Sequence, residues 1–88
     1  MKITITHSKN PAVGWDVDVN ALGDGAEQIA QVEIRVNGFP EVRATVDPPD
    51  NSWEQQLRQQ GVFPGDNTVE VTVQDQNGNE TRAQQRWS

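Results

Sequence analysis

The sequence predicts an all-β domain, an antiparallel β-sandwich of about seven strands, and three observations support that prediction. Apolar and polar residues alternate in most segments, which is the period of a strand with one buried face. Valine, whose branched side chain favours strands, is the most frequent apolar residue, with 11 copies in 88 residues. Turn residues interrupt the alternation roughly every 8–12 residues, as in known β-sandwiches.

The first part of the chain contains three predicted strands, each with its apolar side chains on one face. They are residues 2–7, with Ile3 and Ile5 inward; residues 15–22, with Trp15, Val17 and Val19 inward; and residues 29–36, with Ala30, Val32, Ile34 and Val36 inward. A segment with Pro11 and Gly14 separates the first two strands, and the loop Gly-Asp-Gly-Ala-Glu-Gln separates the second from the third.

Asn37-Gly38 predicts a tight hairpin after the third strand, because both residues accept the positive φ angles of a type I′ turn. The returning strand is predicted at residues 41–46, with Val42, Ala44 and Val46 inward. We expect it to end at Asp-Pro-Pro-Asp-Asn, since prolines cannot donate hydrogen bonds to a neighbouring strand.

Residues 52–61, Ser-Trp-Glu-Gln-Gln-Leu-Arg-Gln-Gln-Gly, permit two interpretations. Ser52 and Gln55 are spaced as a helix capping box, and Gly61 is a suitable terminator of a short helix. The alternative is a strand with Trp53 and Leu57 on one face. We favour the strand, because an isolated two-turn helix is marginal in water and the surrounding pattern is all-β.

The last two predicted strands flank a dense turn signal at residues 75–79, Asp-Gln-Asn-Gly-Asn. Residues 68–75 place Val69, Val71 and Val73 inward, and residues 80–87 place Thr81, Ala83 and Trp87 inward. Closely spaced Asp and Asn oxygens suit Ca²⁺. A corner is the interpretation we favour, because Asp75 can accept hydrogen bonds within its own turn and Gly78 tolerates positive φ.

Composition excludes several classes of function. The formal net charge is −6 and no basic cluster is present, which argues against nucleic acid and against an anionic membrane surface. No apolar run approaches the ~18 residues of a membrane span. Because the chain has no cysteine, it has no disulfide, no thiolate metal site and no cysteine nucleophile. We expect no cofactor.

Few side chains are candidates for chemistry. Asp16 and Asp18 share a face, which suits either a bound cation or, as we favour, an acidic solvated surface. His7 has no second histidine to complete a metal site, so we expect a surface residue at a strand end. No nucleophile can be paired with a base, and we therefore expect no enzyme.

The aromatic residues divide between a core role and a partner-binding role. We expect Trp53 and Trp15 to lie in or near the core, since a small sandwich gains much of its burial from a few large rings. For Trp87 the two roles stay open. Exposed rings bind glycans or proteins, and the candidates for such a partner site are Trp15, Phe39 and Trp87.

The spacing of strands and turns resembles that of the bacterial immunoglobulin-like (Big-type) domains of secreted hydrolases and surface adhesins. Their pattern V-x-V-x-V-x-G, then a Trp strand, then G-x-N-x-V-x-V-x-V-x-D-x-x-G-N corresponds here to Val32, Ile34, Val36, Gly38, Trp53, Gly65, Asn67, Val69, Val71, Val73, Asp75, Gly78 and Asn79. The resemblance implies an immunoglobulin-like antiparallel β-sandwich. It carries over no ligand-binding residue, because the family shares no site.

A second, partial resemblance concerns the segment Asn-Pro-Ala-Val-Gly at residues 10–14. It is similar to the N-P-x-x-G loop of chagasin-like cysteine-protease inhibitors, which are also β-sandwiches. The Arg-Pro-Trp loop that accompanies it in that family is missing from this chain. Protease inhibition is therefore the third of the functions that we consider.

Together these observations lead us to expect one domain, residues 1–88, belonging to a larger multidomain protein. The Big-type resemblance implies a non-catalytic spacer, structural or interaction module of an exported bacterial protein, extracellular or at the cell surface. Any export signal would lie upstream in a longer parent. Its partners would be neighbouring domains, and the alternative is a carbohydrate- or protein-binding module that uses exposed aromatics.

Overall fold

The computed structural model describes residues 1–10, 14–59 and 67–87 of the chain. The elements in these residues are seven β-strands without a helix: β1 (Lys2–Asn10), β2 (Gly14–Leu22), β3 (Ile29–Val36), β4 (Phe39–Asp50), β5 (Ser52–Gln59), β6 (Asn67–Asp75) and β7 (Glu80–Trp87). The predicted all-β sandwich of about seven strands is confirmed.

The strands form two antiparallel sheets with the orders β1-β2-β5 and β4-β3-β6-β7. The chain crosses to the second sheet for β3 and β4, returns to the first for β5, and crosses again for β6 and β7, as in immunoglobulin-like sandwiches. In the constant-type arrangement of antibodies the fourth strand joins the first sheet. Here β4 stays beside β3, so that the sheets contain three and four strands.

The core lies between the sheets and is built from alternate residues of the central strands. β2, β3 and β6 each have neighbours on both sides and supply ten of the twelve buried apolar residues, and β5 and β7 supply one each. They are Val17, Val19, Ala21, Ile29, Val32, Ile34, Val36, Val69, Val71, Val73, Leu57 and Trp87. Each buried Val or Ile contributes about 1.5–3 kcal/mol relative to an exposed one.

β3 departs from strict alternation at its first residues. The pairing of β3 with both of its neighbours is irregular between Ile29 and Gln31, where the register shifts by one position against β6 and by three against β4. This bulge changes the phase of the strand, so that Ile29 is fully buried and Ala30, which the alternation predicted inward, is only half-buried.

β4 is longer than predicted. Residues 41–46 form a strand, but β4 continues through Pro48 and Pro49 to Asp50, so the predicted end was wrong. β4 is an edge strand, where proline is tolerated because one side of the strand has no neighbour to receive an N–H. The position at the edge also leaves the inward-facing residues of β4 only half-buried.

The ambiguous segment at residues 52–61 is a strand over Ser52–Gln59, as favoured. β5 pairs with β2 along its whole length, from Leu22 opposite Ser52 to Trp15 opposite Gln59. Leu57 is buried and Trp53 packs against the core. The tertiary pairing therefore overrides the local helix signals.

The Asn37-Gly38 turn joins β3 and β4 as predicted. Both residues have positive φ, 51° at Asn37 and 85° at Gly38. The Asn37 side chain also reaches β6: its Oδ1 accepts the N–H of Thr68 at 2.9 Å, and its Nδ2 donates to Asn67 Oδ1 at 3.3 Å. The turn is thus fastened to the next strand of the sheet.

Replacing Asn37 with alanine is expected to lower the free energy of unfolding by about 1–3 kcal/mol, since it removes two hydrogen bonds and strains the positive φ. The matched variant Asn37→Gly removes the same bonds without the strain, so we expect a smaller loss. Urea denaturation followed by circular dichroism measures both. Equal losses in the two variants would show that the backbone strain contributes nothing.

The two chain ends lie at opposite poles of the sandwich. Consecutive strands alternate in direction along the sandwich, and there are seven of them. β1 therefore begins at one pole and β7 ends at the other. We call the end with Met1 and the turn at residues 75–79 the N-terminal pole, and the end with the Asn37-Gly38 turn and Trp87 the C-terminal pole. The molecule measures 40 × 20 × 18 Å. No helix among the described residues is long and apolar enough to span a membrane.

Candidate functional site

Three aromatic rings meet at the C-terminal pole. The His7 imidazole stacks on the Trp87 indole, with centroids 4.5 Å apart and planes 13° apart. Trp15 meets both rings edge to face, with its centroid 5.4 Å from His7 and 5.6 Å from Trp87. We call His7, Trp15 and Trp87 the aromatic cluster. Such ring pairs stabilise beyond their buried area, by about 0.5–1.5 kcal/mol each.

The cluster joins the two sheets. His7 and Trp15 lie on the neighbouring strands β1 and β2, and Trp87 is the last residue of β7 in the other sheet. The His7 ring nitrogen Nδ1 lies 2.7 Å from Gln85 Oε1, a second link between β1 and β7. Because Nδ1 must donate to this oxygen, the bond sets the ring orientation.

The prediction that His7 is a surface residue at a strand end was wrong. His7 lies within β1, is half-buried, and contacts both Trp15 and Trp87. A signal was present in the sequence: His7 continues the inward alternation of Ile3 and Ile5.

The three predicted partner-binding residues occupy different environments. Trp87 is buried, with 9% of its surface exposed, and Trp15 is half-buried. Phe39, at the tip of the Asn37-Gly38 hairpin, is 68% exposed. The structure brings Trp15 and Trp87 together, and no ring contact in its described part connects Phe39 to them.

Buried polar atoms accompany the aromatic cluster. Nε1 of Trp15, Nε1 of Trp87 and Nδ2 of Asn67 are buried and find no acceptor in the described part of the chain. All three are N–H donors, so the described residues of this pole present hydrogen-bond donors and aromatic faces.

At the opposite pole, residues 75–79 form a closed corner around the Asp75 carboxylate. Oδ1 accepts the backbone N–H groups of Asn77 and Asn79, each at 2.9 Å, and Oδ2 accepts Asn79 Nδ2 at 3.3 Å. Gly78 takes a positive φ of 87°. The carboxylate is therefore occupied by its own turn.

The hydrogen bonds of the corner change the acidity of Asp75. Burial, the largest single influence, raises the pKa of this carboxyl, but the hydrogen bonds from Asn79 and Asn77 together outweigh it and hold the pKa below its ordinary value. A carboxyl whose pKa is lowered by folding stabilises the fold above its ordinary pKa, and that stabilisation disappears as the pH falls through the lowered pKa.

We therefore expect Asp75→Asn to lower stability at neutral pH and to reduce the loss of stability on acidification between about pH 5 and pH 2. The reason is that the substituted amide cannot titrate. Urea midpoints measured across this range give the slope for each protein. A slope unchanged by Asp75→Asn would contradict the role assigned to the corner.

Asp16 and Asp18 share the outer face of the three-stranded sheet as predicted. Both are half-buried, so this face is not the fully solvated acidic surface that we favoured. They lie on the middle strand beside Thr6, Ser8 and Gln56, around a shallow depression of about 330 Å³. Among the described residues, no group of three or more His, Cys, Asp or Glu side chains is placed to hold a metal ion.

The outer face of the four-stranded sheet is a polar surface with paired charges. Glu33 accepts from Arg35 Nε at 2.7 Å and lies 3.3 Å from Arg43 Nε, while Arg82 pairs with Glu80 at 3.2 Å. The hydrogen bond from Arg35 is the main reason that the pKa of Glu33 is lowered. These arginines are therefore already paired with carboxylates, which weakens their attraction for anions.

The segment similar to the chagasin-like loop, residues 10–14, includes residues 11–13, which lie outside the described part of the chain. Compared with known proteins, the chain matches no protein-family model and no curated protein.

Proposed function

We propose that this chain is a non-catalytic immunoglobulin-like module that acts as a spacer or structural domain in a larger exported bacterial protein. The observation that supports the proposal best is the placement of the two chain ends at opposite poles of a sandwich 40 Å long. A domain inserted in this way adds its full length between its neighbours. A domain whose ends lie side by side adds almost none.

The hydrogen bonds at the N-terminal pole favour a rigid module. The Gln76 amide bridges two loops, since its Oε1 accepts the N–H of Gln28 at 2.7 Å and its Nε2 donates to the Ala26 carbonyl at 2.8 Å. The Gly23 N–H donates to the Asn51 carbonyl at 2.8 Å. Loops that are hydrogen-bonded to one another in this way suit a rigid domain between neighbouring domains.

The bacterial origin and the location outside the cell or at its surface come from the Big-type resemblance. The residues that carry it include Val69, Val71 and Val73 in β6 and the Asp75 corner. Neighbouring domains of the parent protein are the partners that this function needs.

One observation favours a second function, a carbohydrate- or protein-binding module. Phe39 exposes 68% of its surface at the hairpin tip, where a ring gains nothing from the core. Aromatic residues are common anchors of binding sites. Trp87 is buried, so such a site would have to use Phe39 first and the exposed part of Trp15 second.

Small-angle X-ray scattering of polypeptides with one, two and three copies in tandem tests the spacer function. We expect the longest dimension to grow by about 40 Å, the length of one module, with each added copy. Copies that fold back on one another, so that the length grows much less, would overturn the proposal.

A titration of the isotope-labelled chain with soluble oligosaccharides, read at the indole and Phe39 signals by NMR, tests the second function. Saturable shifts at Phe39 would favour it.

A further inference from the structure

β5 is an edge strand of the three-stranded sheet. β5 pairs with β2 from Ser52 to Gln59 without a register shift, and no described strand pairs with its other side. Alternate N–H and C=O groups of an edge strand point away from the sheet and accept a further strand. We propose that β5 pairs antiparallel with β5 of a second copy of this chain, which joins two three-stranded sheets into one sheet of six strands. This proposal does not depend on the spacer function.

The other three edges are protected. β4 contains Pro40, Pro48 and Pro49, and its pairing with β3 is interrupted by register shifts. β1 and β7 lie beside each other and are linked by His7 and Gln85. Prolines, irregular pairing and coverage are the usual means by which proteins block edge strands. β5 has no proline, glycine or lysine and no bulge.

The inner face of β5 sets the register of the proposed pair. With the two-fold axis at Gln55, Trp53 lies opposite Leu57 of the second copy, and the symmetry repeats this contact. Trp53 is only half-buried in the single copy, because no described strand lies beside it on the outer side of β5. A Leu side chain alongside the indole would cover part of its exposed area, and such cross-strand pairs stabilise sheets.

The outer face fits the same register. Glu54 lies opposite Gln56 of the second copy, so each carboxylate faces an amide that can donate to it. Moving the axis by one residue to Glu54 would instead place the two Glu54 carboxylates opposite each other, which is destabilising. In the single copy, Gln55 Nε2 donates to the Gln56 carbonyl at 3.0 Å, and pairing exchanges this bond for one with the second copy.

Charge makes the association sensitive to salt. Each copy has a formal net charge of −6, so two copies repel each other at low ionic strength. The Debye length falls from about 30 Å at 0.01 M to about 8 Å at 0.15 M salt. Because the proposed contact consists mainly of backbone hydrogen bonds and apolar contacts, added salt should strengthen it.

Sedimentation velocity of the full chain tests the proposal. From micromolar to millimolar concentration we expect a shift from one copy to two, and at a fixed concentration a larger fraction of dimer in sodium chloride. A single copy throughout, at millimolar concentration and high salt, would overturn the proposal. Assemblies that grow beyond two copies would overturn it as well, because a two-fold contact is closed.

A charge substitution locates the contact. Gln56→Glu places a second carboxylate opposite Glu54 at two symmetric positions, so we expect dimerisation about tenfold weaker. Gln31→Glu, which adds the same charge at an exposed position on β3 opposite Thr45 and Gln74, is the matched control and should change little. Adding Glu54→Lys to Gln56→Glu should restore the dimer. If Gln56→Glu and Gln31→Glu dimerise equally well, β5 is not the interface.

Disulfide trapping tests the register, since the chain has no cysteine of its own. A mixture of Glu54→Cys and Gln56→Cys is expected to form the mixed disulfide in preference to either homodimer, because these positions face each other across the axis. Predominance of either homodimer would contradict the register centred on Gln55.

Discussion

Replacing Trp87 with alanine is expected to lower the free energy of unfolding by about 3–5 kcal/mol, the usual cost of removing a buried Trp or Phe side chain. Trp87 exposes 9% of its surface and stacks on His7. Natural domains are stable by only about 5–15 kcal/mol, so this loss removes a large share of the total. Urea denaturation followed by far-ultraviolet circular dichroism measures it without relying on tryptophan fluorescence.

Two further variants distinguish a core role of Trp87 from a partner-binding role. Trp87→Phe keeps a ring against His7 and should cost less than Trp87→Ala. Phe39→Ala removes a ring that is 68% exposed at the same pole and should change stability by less than about 0.5 kcal/mol. If Trp87→Ala were as mild as Phe39→Ala, the aromatic cluster would not be part of the core.

The second large effect is expected at Ile34. This residue is fully buried in the middle of β3, between Val42 of β4 and Val71 of β6. Ile34→Ala should cost about 2–5 kcal/mol, because the apolar contacts are lost and the flanking strands cannot close the cavity. The same denaturation experiment gives the value.

Val42→Ala is the matched control for Ile34→Ala, since Val42 is the cross-strand neighbour of Ile34 but lies half-buried on the edge strand. We expect a clearly smaller loss. Similar losses at the two positions would show that β4 is as well covered as β3, contrary to the structure. Ile34→Val, with one methyl group removed, should cost about 0.5–1.5 kcal/mol.

The sequence could predict the fold because the central strands follow a simple rule. β2 is paired on both sides in uniform register, and the irregularity in the β3–β6 pairing lies in β3, so that alternation alone identifies the buried residues of β2 and β6. For the edge strand β4, alternation predicted less of what the structure shows. It predicted the direction in which Val42 and Val46 point but not how much of them is covered, because coverage depends on which strands end up as neighbours.

The bulge in β3 and the extension of β4 show where local patterns stop being informative. Ile29 is buried only because the register shifts between it and Gln31. Pro48 and Pro49 remain in a strand only because that strand is at an edge. Both features depend on which strands are neighbours in the sheet. The residues adjacent in sequence do not carry that information.

The aromatic cluster was the least predictable part of the candidate site. His7 and Gln85, which form a contact of 2.7 Å, are 78 residues apart in the chain. The grouping of Trp15 with Trp87 likewise requires knowledge of how β2 and β7 cross between sheets. The corner at residues 75–79 was predictable, because its hydrogen bonds form within five consecutive residues.

The opposite placement of the chain ends has a mechanical consequence. β1 and β7 lie beside each other and run in the same direction, from the N-terminal to the C-terminal pole. A force that pulls the two ends apart therefore acts along both strands and across the hydrogen bonds that join β1 to β2 and β7 to β6, because antiparallel ladder bonds are perpendicular to the strands. These bonds carry the load together in shear rather than opening one after another. A domain built in this way resists stretching along its long axis.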